Sequence, residues 1–196
     1  MPEPAQAADA RPLAHATGHL PGIGGRSKCA PEDFLVEECP AYAPAGQGEH
    51  LYLWIEKRGI PTAAVVEALC GQLGVAPPAV GYAGKKDSEA VARQWLSVHT
   101  PADPDPARLG GPGWRVLAAS RHRNKLRPGH LHGNRFTVVL RQARPGPDAE
   151  RILQHLQAHG FPNYFGPQRL GPGLRNALEG RRLVRAARAR TTAAPR

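Results

Sequence analysis

The chain has 196 residues, 41% of them hydrophobic, which is enough for one substantial core or a core with a small appendage. Its formal net charge of +10 and pI of about 10.3 indicate a polyanionic partner such as a nucleic acid. No apolar run reaches the roughly 18 residues of a membrane span, and the N-terminus lacks a signal-peptide pattern, so we expect a soluble cytoplasmic protein. The three cysteines form no Cys-x-x-Cys pair, so we expect neither disulfides nor a zinc site.

The first third of the chain moves from an arm into strands and a helix. Residues 1–28 are rich in Ala, Pro and Gly, which predicts a flexible N-terminal arm and loop. Residues 34–37 form the first credible strand, and 51–56 alternate in the period of a half-buried strand. The clearest helix is predicted over 62–73, because apolar residues recur on one face and Gly74 is placed to end it.

The middle of the chain is predicted to form mostly strands. The apolar run 79–83 predicts a short buried strand, after which Gly84 allows a sharp turn. Residues 88–92 are compatible with a helix start, but we favour a tight turn followed by a strand over 94–98.

The remaining predicted elements complete the secondary structure. They are a strand at 114–117, a basic loop at 121–127, a strand at 134–141 and a helix at 148–159. In the strand at 134–141, Phe136, Val138 and Leu140 share one face. Together the elements predict an α/β or α+β domain, with a mixed, largely antiparallel sheet and packed helices.

Asp87 is the candidate for chemistry. It follows the predicted strand at 79–83 and is flanked by Lys85 and Lys86. A carboxylate in a basic neighbourhood keeps a low pKa and stays ionised, as a nucleophile or an orienting base must. The alternative is an ordinary surface aspartate in a solvated turn.

Two further patterns bear on ligands. His155 and His159 have a spacing that can hold a metal on a helix, but no third ligand is evident, so we assign no metal and expect a solvated face. Residues 115–144 contain eight Lys or Arg and no acid, a distribution that suits a phosphate backbone. The residues alone therefore predict a nucleic-acid binder with Asp87 as its only candidate catalytic group.

Four segments go further, because their type and order resemble a known family. They are 31–38 (PEDFLVEE), 81–95 (GYAGKKDSEAVARQW), 133–141 (GNRFTVVLR) and 162–169 (PNYFGPQR). Together they resemble the TruD family of tRNA pseudouridine synthases.

The resemblance implies a chemistry for the candidate residues. Asp87 would be the nucleophile that converts a tRNA uridine, typically uridine-13, into pseudouridine by attacking C1′ of the sugar, or C6 of the base in the older alternative. Lys86 would be its positive partner. Phe34 would line the substrate pocket, Phe136 would stack on the displaced uracil, and Asn134 would hydrogen-bond the base or steady Asp87. The reaction needs neither cofactor nor metal.

The resemblance also implies partners and an organisation. The expected partner is tRNA, bound by a protein that we expect to be monomeric, and its phosphates would meet Arg121, Arg123, Lys125, Arg127, Gln168 and Arg169. Residues 29–160 would be the first part of the catalytic domain, and 161–196 the start of a family-specific inserted region followed by a truncated basic tail. Family members are longer, so the alternative is an inactive RNA-binding remnant or a fragment.

Overall fold

The computed structural model describes residues 15–144, 146–163, 167–171 and 174–192. Contacts within the chain define two units, one of residues 24–144 and the other drawn from 1–23 and 145–196. The boundaries expected after residues 28 and 160 stay predictions.

The unit of residues 24–144 contains seven strands: β1 (Phe34–Pro40), β2 (His50–Arg58), β3 (Val80–Tyr82), β4 (Val91–His99), β5 (Gly110–Gly111), β6 (Trp114–His122) and β7 (Leu131–Val138). They form one sheet with the order β5-β6-β2-β4-β1-β7, and β3 pairs with β4. All strand pairs are antiparallel except β1 with β4. The mixed, largely antiparallel sheet predicted from the sequence is therefore confirmed.

Helix α1 (Thr62–Leu73) covers part of one face of this sheet. It ends where predicted, because Gly74 adopts the left-handed conformation with φ of 64°. Val65 and Leu69 on the helix are fully buried against Leu53 of β2 and Leu96 of β4. This apolar contact is the main core of the unit.

The two faces of the sheet differ in what covers them. Tyr52 of β2 points away from α1 and packs in a second cluster with Ala83 and Leu126. The α1 face continues across β1 onto β7, where Val36 pairs with Phe136. Phe136 is 56% exposed, so this face is closed over β2 and β4 and open over β7.

Several predicted strand boundaries were wrong, among them the ends of β6 and β7. The strand expected at 114–117 runs to His122, so Arg121 lies in β6 and not in a loop. It pairs there with Leu51 of β2, because backbone hydrogen bonding along a neighbouring strand does not depend on apolar side chains. The strand expected to end at Arg141 ends at Val138.

The second unit contains α2 (Pro147–His159), close to its predicted limits, and α3 (Arg175–Thr192). On α2 the rings of His155 and His159 stack with centroids 4.4 Å apart. Among the described residues, no group of three metal-ligating side chains forms a metal site. None of the helices in the described ranges is long and apolar enough to cross a membrane.

Candidate active site at the Asp87 turn

The turn that carries Asp87 connects β3 to β4 and is anchored by a buried lysine of β2. Lys57 is fully buried, and its ammonium donates hydrogen bonds to the backbone oxygens of Ile60, at 2.8 Å, and Asp87, at 2.5 Å. Burial lowers the pKa of Lys57 to about 8. Its main-chain contact fixes where Asp87 leaves the sheet.

Sequence reasoning missed Lys57, although a signal for it was present. Leu51, Leu53 and Ile55 alternate inward along β2, and residue 57 continues the same period. A lysine at an inward position is a rare burial that needs hydrogen-bond partners. The strand pattern therefore predicts that Lys57 is buried and makes hydrogen bonds inside the fold.

Two more side chains hold the same turn. The hydroxyl of Thr62, at the start of α1, accepts a hydrogen bond of 3.0 Å from the backbone N–H of Lys86. Gln94 of β4 is fully buried and donates from its amide to the carbonyl oxygen of Gly84 at 3.2 Å. Strand β2, helix α1 and strand β4 thus each contribute one polar anchor to the Asp87 turn.

The Asp87 carboxylate pairs with Lys28. Its Oδ2 accepts a hydrogen bond from the Lys28 ammonium, and its Oδ1 accepts one of 2.9 Å from the backbone N–H of Glu89. The Lys28 bond is the main reason why the pKa of Asp87 is held below its usual range. The lowered pKa keeps the carboxylate ionised, and its partial exposure leaves it within reach of a ligand.

Lys28 was assigned to the N-terminal arm from the sequence, and its role at Asp87 was missed. The two residues are 59 positions apart, so no local pattern connects them. The nearby segment is joined to the sheet by backbone hydrogen bonds between Arg26 and Arg141.

The expected pairing of Lys86 with Asp87 was wrong. The Lys86 ammonium lies 2.7 Å from Oε2 of Glu38, and the two side chains are 4% and 0% exposed. A carboxylate as deeply buried as Glu38 requires a compensating charge, and Lys86 supplies it. Glu38 also accepts a 3.3 Å hydrogen bond from the backbone N–H of Trp95, so its second oxygen is occupied as well.

Two predicted aromatic residues meet beside the carboxylate. The rings of Phe34 and Phe136 have centroids 5.8 Å apart and are tilted by 45°. The Lys28 ammonium lies 4.4 Å from the centroid of the Phe34 ring, a cation–π distance. Lys28 therefore links Asp87 to the aromatic pair, and the structure brings Asp87, Phe34 and Phe136 to one place.

Asn134 lies on the same face of the sheet. It is opposite Glu38 in the register of β1 and β7, two residues before Phe136. Its side chain is exposed and makes no hydrogen bond to the described residues, so the amide is open to a ligand and does not steady Asp87.

The residues expected on RNA phosphates separate into groups. Arg121 is tied to the loop after β4, because its guanidinium donates to the carbonyls of Thr100, at 2.8 Å, and Ala102, and contacts Asp103 at 3.2 Å. Arg123, Lys125 and Arg127 instead line a common cavity.

The two remaining expected phosphate contacts fall in the second unit. Arg169 lies there, in the short helical turn Pro167–Leu170. The side chain of Gln168 lies outside the described part, as does the stretch 164–166 of the fourth motif.

Known proteins resemble this chain over most of its length. The family model described as tRNA pseudouridine synthase D (TruD) matches residues 14–188. A tRNA pseudouridine synthase D of Anaeromyxobacter dehalogenans (strain 2CP-1) is 52% identical over 172 residues, covering 88% of this chain and 49% of the relative. A tRNA pseudouridine synthase D of Thermus thermophilus is 47% identical over 176 residues, covering 89% of this chain and 49% of the relative.

A solved structure shows the same fold. The crystal structure of a putative tRNA pseudouridine synthase D from Methanosarcina mazei superposes with a TM-score of 0.70 at 27% identity, covering 81% of this chain and 38% of that one. The chain spans about half the length of the curated relatives it matches.

Proposed function

The chain belongs to the TruD family, and from that premise we propose that it carries the nucleophile and part of the uracil pocket of a tRNA pseudouridine synthase. The observation that supports this most strongly is the position of Lys28, whose ammonium contacts both the Asp87 carboxylate and the Phe34 ring. An ionised acid is thereby placed next to an aromatic surface. Such a pair suits a reaction in which a flat base must be held while its bond to the sugar is exchanged.

In the proposed reaction, the target uridine, uridine-13 by family resemblance, leaves its stack so that Asp87 can reach it. The carboxylate attacks C1′ of the ribose as the bond from C1′ to N1 of uracil breaks, which gives a glycosyl ester and a uracil anion. The uracil turns over, and C5 bonds to C1′ as the ester breaks. Loss of the C5 proton and protonation of N1 give pseudouridine, with no net oxidation or hydrolysis. Attack by Asp87 on C6 of the base is the alternative route.

The neighbouring residues have distinct tasks in this scheme. Lys28 keeps Asp87 ionised as the nucleophile requires, since its hydrogen bond is the largest cause of the lowered pKa of that carboxyl. Phe136 is 56% exposed beside Phe34 and offers a π face to the freed base, which allows stacking without fixing the orientation of the ring. The exposed Asn134 amide can donate to, or accept from, the polar edge of uracil.

The test is release of tritium from tRNA labelled at C5 of uridine, since only formation of the new bond at C5 displaces that label. Asp87→Asn keeps the size of the side chain but cannot form the ester, so release should fall to background while tRNA affinity stays close to that of the unsubstituted protein. Asp105→Asn is the matched control, because Asp105 is an exposed carboxylate that caps a separate helical turn. The same substitutions belong in a full-length relative at the aligned positions. Turnover by the Asp87 variant there would refute the assignment.

An RNA-binding chain without catalysis is the second candidate, and the basic cavity lined by Arg123 and Arg127 favours it. That interpretation predicts tRNA binding by this chain with no tritium release, even with Asp87 present. A full-length relative should be assayed in parallel. If the relative releases tritium and this chain does not, the part of the relatives' length that this chain spans is insufficient for catalysis.

A further inference from the structure

A cavity of about 570 Å³ lies on the face of the sheet opposite α1, away from the Phe34 and Phe136 pair. Its position follows from Tyr52, which points away from α1 and whose ring lies 4.9 Å from that of His122 in the cavity wall. The cavity is therefore a separate feature from the Asp87 site.

The floor of the cavity is aromatic and preformed. The ring of Tyr42 stacks on that of His122, with centroids 5.0 Å apart and 19° between planes. The Tyr42 hydroxyl is 3.0 Å from Nδ1 of His130, a hydrogen bond across the floor. Tyr52 donates from its hydroxyl to the backbone oxygen of Asn124 at 2.9 Å, which holds the segment that carries the cationic rim.

The rim of the cavity is cationic. Arg123 and Arg127 are exposed, and neither guanidinium has an ion-pair or hydrogen-bond partner among the described residues. Lys125, between them in sequence, donates to the carbonyl of Pro78, so this part of the rim is fixed in place. None of the described residues that line the cavity is acidic.

Two exposed guanidinium groups with no carboxylate among the described lining residues keep their hydrogen-bond donors free for an anion. Guanidinium groups bind phosphate through paired hydrogen bonds, and an aromatic floor accommodates a sugar or a base beside the phosphate. The ligand chemistry is thus a phosphate attached to a nucleoside.

We propose that this cavity binds backbone phosphates of RNA, as a contact separate from the Asp87 site and on the opposite face of the sheet. The identity of the partner rests on the proposed function, but the contact itself takes no part in the isomerisation. A bound RNA must then pass around the edge of the sheet to occupy both places. Arg121 is not part of this contact, because its guanidinium is used within the protein.

The test is the salt dependence of tRNA binding, measured by fluorescence anisotropy. Arg123→Gln/Arg127→Gln removes both free guanidinium groups, and Arg108→Gln/Arg151→Gln removes the same charge from exposed positions outside the cavity. The cavity variant should bind tRNA more weakly. The negative slope of the logarithm of the tRNA association constant against the logarithm of salt concentration should become shallower by roughly 0.7–0.9 for each phosphate that the protein no longer neutralises. The control pair should keep the slope of the unsubstituted protein.

Two further measurements make the result decisive. RNA should shift the imidazole NMR signals of His122 and His130, and ATP competing at equal phosphate concentration should not reproduce the shifts. An unchanged salt slope in the cavity variant, or saturable occupation by ATP in preference to RNA, would overturn the proposal. Asp87→Asn should leave both readouts intact, so failure here is distinct from failure of the proposed chemistry.

Discussion

Lys86 and Glu38 form a buried ion pair across 2.7 Å, joining the Asp87 turn to strand β1. Lys86 is the covalent neighbour of Asp87, yet its charge is committed to Glu38. The lysine therefore acts on Asp87 through position: it fixes the backbone next to the carboxylate, while Lys28 supplies the opposing charge. One task expected of a single residue is divided between two.

The first prediction concerns the stability of this pair. Lys86→Met leaves the Glu38 carboxylate buried without a partner, and such a change costs about 3–5 kcal/mol of unfolding free energy. The double variant Lys86→Met/Glu38→Leu removes both charges and should recover most of that loss, as urea unfolding would show. Arg58→Gln is the control, since Arg58 pairs with Glu32 at the exposed surface and its loss should matter little. A double variant as unstable as the single one would contradict the pairing.

The second prediction concerns the ionisation of Asp87. Lys28→Ala removes the hydrogen bond that most lowers the pKa of this carboxyl, so its pKa should rise, whereas Lys28→Arg should keep it low. Carboxyl ¹³C NMR titration of the chain measures this without requiring activity. Because the folded pKa lies below the unfolded value, the pair stabilises the fold above the unfolded pKa and this contribution is lost as pH falls through the folded pKa. The Lys28→Ala variant should therefore lose less stability on acidification, and an unaltered titration would show that Lys28 does not govern Asp87.

The fold was largely predictable because its signals are local. Helix α1 was predicted with both ends correct, since apolar periodicity and a terminal glycine lie within one short stretch. The strand that became β4 was predicted too short, because Val91, Ala92 and Arg93 look unlike a strand until β1 and β2 pair with them. Pairing between distant segments supplies hydrogen bonds that no single stretch reveals.

The residues of the site were predictable only where they lie within a recognisable sequence motif. Asp87 was a candidate from its basic neighbourhood alone, whereas the pocket roles of Phe34 and Phe136 came from the family resemblance. The structure brings the three residues together. The partner of Asp87 was wrong because adjacency in sequence was taken for contact in space. Lys28 contacts Asp87 from 59 residues away, a relationship that only the folded chain discloses.

The third prediction separates two glycines of the same motif. Gly84 was expected to allow a sharp turn, but a Cβ there would meet no atom within 4 Å and its φ is not positive. At Gly81 a Cβ would lie 2.2 Å from the carbonyl oxygen of Leu126 and 2.8 Å from Oγ of Ser97. Gly81→Ala should therefore cost about 1–3 kcal/mol, as overpacking does, and Gly84→Ala should be nearly neutral. Urea unfolding of both variants checks this, and equal stability of the two would contradict it.

The last prediction extends the control of Asp87 to a residue that does not touch it. Asp33 is 1% exposed and accepts hydrogen bonds from the backbone N–H groups of Cys29, at 3.1 Å, and Ala30, at 3.2 Å. The guanidinium of Arg141 donates three hydrogen bonds of 2.7–3.0 Å to the same carboxylate and lowers the pKa of Asp33. Asp33 thereby fixes the backbone immediately after Lys28, and it is a positioning residue for that ammonium.

Asp33→Asn keeps the volume of the side chain but loses the charge that holds Arg141 and can turn an N–H group towards the backbone donors. The amides of Cys29 and Ala30 should then exchange hydrogen faster, and the pKa of Asp87 should rise as Lys28 loses its fixed position. In a Lys28→Ala background the same substitution should raise the Asp87 pKa no further, because both changes act through one ammonium. Arg135→Gln is a suitable control, since Arg135 is an exposed cation of β7 that contacts Glu37 and not Asp33. If the effects of Asp33→Asn and Lys28→Ala on the Asp87 titration simply add, Asp33 does not act through Lys28.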